Sequence, residues 1–310
     1  MSEPLAQSTT PVVSVTVPAK INLHLGVGDA RDDGYHELTT VYQAISLYDT
    51  VTVKRSLEPG ITVTTSGEGA EFLPTDDDNL AVRAAKLIAI YGHVDPAIDI
   101  HLDKNIPVAG GLAGGSADAA ATLVACARLW QVDLGAAELD KLAAGLGSDV
   151  PFCLRGGVAI GTGRGEELDY SIDTRGTYHW VVATSETHIS TPECYREVDR
   201  LRADHIGRYS HQIQSLRHAL ETGLPATELA PLLTNDMEAA AMSLRPELSS
   251  LMHGGLEDGA LAAHVSGSGP TVLFLARDGE EAQTLAKRVR LRPGAKDVHV
   301  AYGPVRGPLA

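Results

Sequence analysis

No apolar run in these 310 residues reaches the roughly 18 to 20 that a membrane-spanning helix needs. Met1 to Thr10 are polar and carry neither a basic start nor an apolar core, so they read as a disordered tail and not as a signal peptide. Cysteine is scarce. Cys126, Cys153 and Cys194 have no metal-ligand spacing and leave an odd count, which argues against a disulfide framework and fits reduced thiols in a cytoplasm. Positive charge is short as well: 25 Lys and Arg against 40 Asp and Glu give a formal net charge of −15. That balance argues against nonspecific binding to nucleic acid or to an anionic membrane. Any anionic ligand has to be held locally, by backbone N–H groups and a few lysines. There is no internal repeat of fixed length and no low-complexity tract. Gly-x-x-x-x-Gly-Lys-Ser/Thr is absent, and Gly-x-Gly-x-x-Gly fails because position 109 is Ala and Gly110 and Gly111 are adjacent.

What is present begins with a hydrophobic fraction of 44% and a charged fraction of 21%, those of a soluble globular protein. At this length two domains are the better expectation. The stretch Lys104 to Ser116 holds four glycines between an alternating strand pattern, Ile98 to Leu102, and an alanine-rich helical pattern, Ala117 to Trp130. Ala120, Leu123, Val124, Ala127 and Trp130 share one face of that helix. Glycines between a strand and a helix start let backbone N–H groups turn inward, and the helix adds unpaired N–H groups and the positive end of its dipole. Phosphate is the natural guest.

Elsewhere, Val13 to Val17 alternate as a strand that Pro18 is expected to stop. Lys20 and Asn22 lie within the apolar strand that follows, where a lysine either snorkels to solvent or serves a site. Thr39 to Leu47, Asp49 to Val53 and Ile61 to Thr64 read as strands, and Asp78 or Asn79 caps a helix over Leu80 to Tyr91. After a helix over Ala136 to Leu146, Asp149 sits in a short turn before Val150-Pro151-Phe152. An unpaired charge there is costly, so it is either a turn or capping aspartate or a partnered functional one. Gly156 to Gly165 reads as a tight strand pair, Tyr178 to Ala183 as a strand and Glu193 to Leu201 as a short helix. Arg202 to Gly223 reads as a helix with loose ends, in which His205, His211 and His218 are surface histidines. Phosphoryl transfer needs a phosphate-positioning backbone, a positive group and a base for the attacking hydroxyl. The glycine run, Lys20 and Asp149 fill each role once.

The stretch Pro107-x-x-Gly-Gly-Leu-x-Gly-Gly-Ser-x-Asp-Ala-Ala-x-Thr122 resembles the phosphate-loop motif of the GHMP kinase superfamily, in its longer, glycine-doubled version. Pro18-Ala-Lys-Ile-Asn-Leu23, Asp33-Gly-Tyr-His36, Gly147-Ser-Asp-Val-Pro151 and Ser266-Gly-Ser-Gly-Pro270 match the same superfamily in order, over nearly the whole chain. The resemblance implies an α+β, two-domain GHMP kinase-like fold with the active site in the interdomain cleft. It implies an N-terminal ATP-binding domain over 11–174 and a C-terminal domain over 175–310. The implied reaction is ATP-dependent phosphorylation of the 2-hydroxyl of a cytidine-diphosphate-linked methylerythritol, in isoprenoid precursor synthesis, by a cytoplasmic monomer or homodimer using ATP with Mg2+.

Carried over by the same resemblance, Asp149 is the base and Lys20 holds both Asp149 and the transferring phosphoryl group. Pro107, Val108, Ala109, Gly110, Gly111, Leu112, Ala113, Gly114, Gly115, Ser116 and Ala117 wrap the ATP phosphates, with Asp78, Asn79, Leu80 and Lys104 near the adenine. Tyr35 and Tyr195 sandwich the cytosine, His36 bonds its edge, and Asn22 and Thr191 line the substrate. Ala117 stands where the family loop often has a second serine, which leaves the metal ligands open. Ala109 and Ala113 replace common glycines, so both backbones are expected to keep negative φ. Another small-alcohol kinase of the superfamily, of homoserine or mevalonate type, and a non-catalytic nucleotide-binding module are the alternatives.

Overall fold

The computed structural model describes residues 11–32, 34–108, 110–203 and 212–310. The N-terminal tail, Asp33, Ala109, His205 and His211 lie outside the described residues.

Two long antiparallel strands, β1 (Val12–Ala30) and β2 (His36–Arg55), form the spine of the first sheet. Pro18 does not end β1. A register shift between Pro18 and Ala19 absorbs the missing N–H, and the strand continues. β2 likewise runs unbroken through Asp49, which is fully buried. β3 (Ile61–Gly67) follows, then helix α1 (Leu80–Gly92), where the Asn79 side chain accepts from the Ala81 N–H at 2.8 Å and so settles the cap on Asn79. β4 (Ile98–Lys104) buries its isoleucines and Leu102 on one face, and it pairs parallel to β3 and antiparallel to β2.

Next come α2 (Gly114–Trp130), α3 (Ala136–Leu146), α4 (Val150–Arg155), β5 (Val158–Thr162) and β6 (Glu167–Asp169). Helix α2 differs from the one-faced helix expected. It starts at Gly114, and every residue from Ala117 to Ala127 is buried, because α1, α3, α4 and the sheet all pack against it. Its many alanines make that close approach possible. The residues after Asp149 form a short helix instead of continuing a turn, with Pro151 in its first turn, where a missing N–H costs nothing.

The second half contains β7 (Tyr178–Ala183), α5 (Thr191–Ala203), α6 (Gln214–Thr222), α7 (Ala226–Leu229) and β8 (Thr234–Asn235). They are followed by α8 (Glu238–Leu244), α9 (Glu247–Glu257), β9 (Ala262–Val265), β10 (Val272–Ala276), α10 (Gly279–Val289) and β11 (Val298–Gly303). The second sheet is antiparallel, in the order β11-β7-β10-β9. Strand alternation sorts its residues between two cores. Trp180, Val182, Leu273 and Leu275 pack toward the first sheet, whereas Val181, Ala183, Val272 and Phe274 pack with α5, α8, α9 and α10.

Several links cross between the halves. β8 pairs in parallel with β1, placing Thr234 and Asn235 opposite His24 and Leu25. The terminal segment folds back onto α4, with the Gly307 N–H donating to Arg155 O at 2.8 Å and the Leu309 N–H to Leu154 O at 2.9 Å. The architecture is α+β with a cleft between the halves, as expected. Among the described residues no helix is long and apolar enough to cross a membrane.

Candidate active site

The glycine run is fixed from both halves. Lys20 donates its backbone N–H to Leu112 O at 3.2 Å, and the Ser266 hydroxyl donates to Gly111 O at 3.1 Å. Gly111 has φ +75°, and a Cβ on it would lie 2.2 Å from Ser266 O, so no larger residue fits. Asn235 Nδ2 donates to Val265 O and Gly267 O, each at 2.8 Å, which holds the serine-glycine turn in place. Ala113 overturns the negative-φ expectation. It lies at φ +60°, ψ 31° as the N-cap of α2, a left-handed conformation that costs an alanine about 1–2 kcal/mol.

Gly110, Gly111, Ala113, Gly114, Gly115 and Ser116 line a cleft of about 360 Å³ with Leu80, Lys20, Asn22 and Asp149. The first-turn N–H groups of α2 and the positive end of its dipole therefore border a space that also holds the lysine and the aspartate. Not every expected loop residue reaches it. Leu112 and Ala117 are fully buried in the core, so the hydroxyl that Ala117 lacks would not face the cleft. Pro107 and Val108 line a separate hollow with Gly69, Thr184 and Lys296. Asp78 is exposed, and the Asn79 side chain is spent on the α1 cap and on Pro74 O.

Lys20 and Asp149 are brought together. Lys20 is 6% exposed, so it does not snorkel to solvent. It lies 3.5 Å from Asp149 Oδ2 and donates to Asn22 Oδ1 at 2.9 Å. Asn22 passes the chain on to the Thr40 hydroxyl, at 2.8 Å, which donates to His24 O. Asp149 occupies the N-cap position of α4, yet its side chain caps nothing. It faces Lys20 and accepts from the Tyr42 hydroxyl at 3.2 Å, with 27% of the side chain open to the cleft.

Beside this pair lies a larger hollow of about 690 Å³ lined by Tyr35, His36, Thr191, Tyr195, Arg164 and Asp199, among others. His36 Nε2 is 2.9 Å from Asp199 Oδ1, and Tyr195 stacks on the His36 ring at 4.8 Å, 10° from parallel. Tyr35 is 54% exposed, with the Arg164 guanidinium 5.1 Å from its ring centre. The two tyrosines border one hollow, and each has its own planar partner there. The Thr191 hydroxyl is 3.1 Å from that of Ser268, at the seam of the cleft and the hollow.

Lys104 is not where it was expected. It is 1% exposed beneath the loop, ion-paired with Asp49 and, at 2.6 Å, with Asp118, so it presents nothing to a nucleobase. Asp49 Oδ1 also accepts from the N–H groups of Asn105 and Ile106 at 2.7 and 2.8 Å, which sets the direction in which the loop leaves β4. Burial opposes the Lys104 charge, but the two carboxylates outweigh it and hold its pKa above the ordinary value. Burial, reinforced by Asp49 and opposed by Lys104, pushes the Asp118 carboxyl up to about 7.

Asp49, Asp118, Tyr42, Arg164 and Asp199 were not singled out from the sequence. A carboxylate between apolar neighbours, as in Tyr48-Asp49-Thr50-Val51 and Ala117-Asp118-Ala119, is a legible signal for the first two. Tyr42 meets Asp149, Asp199 meets His36 and Arg164 meets the Tyr35 ring only through the tertiary fold.

Residues 79–157 match the model of the GHMP kinases N terminal domain, and residues 216–294 that of the GHMP kinases C terminal domain. The 4-diphosphocytidyl-2-C-methyl-D-erythritol kinase of Rhodococcus jostii (strain RHA1) is 52% identical over 297 residues, covering 96% of this chain and 94% of the relative. The protein of the same name from Mycobacterium tuberculosis is 49% identical over 295 residues, covering 95% and 92%. A crystal structure of 4-(cytidine 5'-diphospho)-2C-methyl-D-erythritol kinase superposes with a TM-score of 0.75 at 32% identity, covering 94% of this chain and all of that one. A homoserine kinase from Cytophaga hutchinsonii superposes at 0.72 with 18% identity, a likeness of fold.

Proposed function

The chain belongs to the 4-diphosphocytidyl-2-C-methyl-D-erythritol kinases of the GHMP superfamily, and from that premise we propose that Asp149 and Lys20 carry the transfer of the ATP γ-phosphoryl group to the 2-hydroxyl of that cytidine-linked alcohol. The observation that carries the residue assignment is the orientation of Asp149. It stands at a helix N-cap, leaves the cap unmade, and instead presents a carboxylate beside a buried ammonium at the edge of the phosphate cleft.

The ATP phosphates lie along Gly110 to Ser116, where the loop and the first turn of α2 offer N–H groups. The acceptor hydroxyl points at Asp149, which takes its proton as the oxygen bonds to the γ-phosphorus and the bond to the ADP oxygen breaks. Lys20 sits where negative charge gathers on the moving group. Magnesium, when bound with ATP, neutralises phosphate charge. Among the described residues no group of three or more His, Cys, Asp or Glu is placed to hold a metal, and Ser116 is the hydroxyl that the loop presents to the cleft. Ser116 would be the loop side chain to hold the ion, which would neutralise phosphate charge there.

The larger hollow takes the cytidine, with Tyr35, His36 and Tyr195 around the base and Asn22 and Thr191 nearer the alcohol. That placement discriminates against mevalonate or homoserine, which bring no base to fill it. A cytoplasmic setting suits the three cysteines, which are buried and unpaired. Coupled ADP-release assays with the cytidine-linked alcohol and with mevalonate test the reading. Turnover is expected with the first only, and Asp149→Asn is expected to lower kcat about 10²- to 10⁴-fold with its melting temperature retained. Equal turnover of mevalonate, or an active Asp149→Asn, overturns it.

A further inference from the structure

Asp149 has a third neighbour besides Lys20 and solvent. Tyr42 is on β2, 3% exposed, and its hydroxyl donates to Asp149 Oδ1 at 3.2 Å while Lys20 lies nearest Oδ2. The two carboxylate oxygens are thus held by different groups on different strands. The Tyr42 ring is also fixed. It packs on Phe152 with centroids 5.0 Å apart, and the Lys20 ammonium lies 5.2 Å from its centre.

Two glycines make room for it. A Cβ on Gly165 would lie 2.3 Å from the Tyr42 hydroxyl oxygen, and one on Gly161 would lie 2.8 Å from Cε2. The strand pair that carries these glycines is therefore shaped around a phenol. A phenylalanine would need less space. The Gly165 gap is specific to the oxygen.

We infer that Tyr42 is a positioning residue for the reaction: its hydroxyl fixes the rotation of the Asp149 carboxylate, so that one oxygen is aimed at the acceptor hydroxyl instead of swinging onto the α4 N-cap or flat against Lys20. Resting on the assignment of Asp149 as base, this adds a buried hydroxyl that acts through the carboxylate it is bonded to. Burial, and then the charge of Asp149, raise the Tyr42 phenol well above its ordinary range, so it remains a donor at any working pH.

Tyr42→Phe removes the one oxygen and leaves the ring packing on Phe152 intact. Its expected effect is a fall in kcat of about tenfold, with KM for ATP and for the cytidine-linked alcohol each within about twofold. The decisive measurement is a cycle with Asp149→Asn, by single turnover with enzyme in excess. If Tyr42 acts through the carboxylate, adding Tyr42→Phe to Asp149→Asn lowers the rate no further. A wild-type kcat in Tyr42→Phe, a change falling mainly on either KM, or a further tenfold loss in the double variant overturns the proposal. An Asp149→Asn single variant that keeps the wild-type rate would remove the base assignment instead, whatever Tyr42→Phe does.

Discussion

Lys20 on β1 and Lys104 on β4 belong to the same sheet, both are buried, and each faces aspartate. Lys20 meets one carboxylate at 3.5 Å, and that carboxylate keeps 27% of its side chain open. Lys104 meets two, Asp49 and Asp118, both sealed from solvent. The first arrangement leaves charge facing a cleft, with an amide, Asn22, completing the lysine's partners. The second uses all its charge internally and turns Asp49 to the backbone N–H groups where the loop departs. A buried lysine beside an aspartate thus leaves its carboxylate open to a cleft in one place and closes it into the architecture in the other. What separates them is whether the carboxylate can still be approached.

The largest expected effect breaks the comparison directly. Lys104→Met strands two buried carboxylates and should cost about 3–5 kcal/mol in urea unfolding. Lys20→Met leaves an aspartate that water can reach, so its unfolding midpoint should barely move while kcat falls about 10²- to 10³-fold. Equal stability losses in the two variants would erase the distinction.

A smaller effect comes through protons. Asp118 titrates near 7 in the folded chain, against 3.8 as an ordinary carboxylate. Between those values the folded state holds a proton that the unfolded chain has released. Its contribution to stability is therefore present in acid and is lost as pH rises from about 4 to about 7. Across that window the unfolding free energy of the native chain should therefore fall relative to that of Asp118→Asn as pH rises, the buried His264, its pKa lowered to about 4, acting in the opposite direction in both. A slope of the same size in that variant would place the titration elsewhere.

The smallest expected effect lies between the two lysines, in the loop. Ala113→Gly relieves the left-handed strain at φ +60° but frees the unfolded chain, for a net gain of about 0.5–1 kcal/mol. The rise in melting temperature should appear without a change in KM for the alcohol. A loss of stability would mean that the alanine methyl contributes packing that outweighs the strain.

The sequence by itself determined the pattern of elements along β1, α1, β4 and β7, because side-chain period and helix caps are local. It also marked the glycine run between a strand and a helix start, which the structure places along the cleft, and the pairing of Lys20 with Asp149, through motifs that the family shares. Local signals could not show that Pro18 would be absorbed by a register shift, or that Asp149 would decline the cap its position offers. Those depend on what stands across the sheet. The same holds for Lys104. On its own strand it looks like any lysine before a phosphate loop, and only the approach of Asp49 from β2 and Asp118 from α2 seals it away. Tyr195 on His36 and Tyr42 on Asp149 join residues 159 and 107 positions apart. Contacts of that kind are set by which strands pair and which helices pack, so tertiary structure alone decided which charges face the cleft and which are closed beneath it.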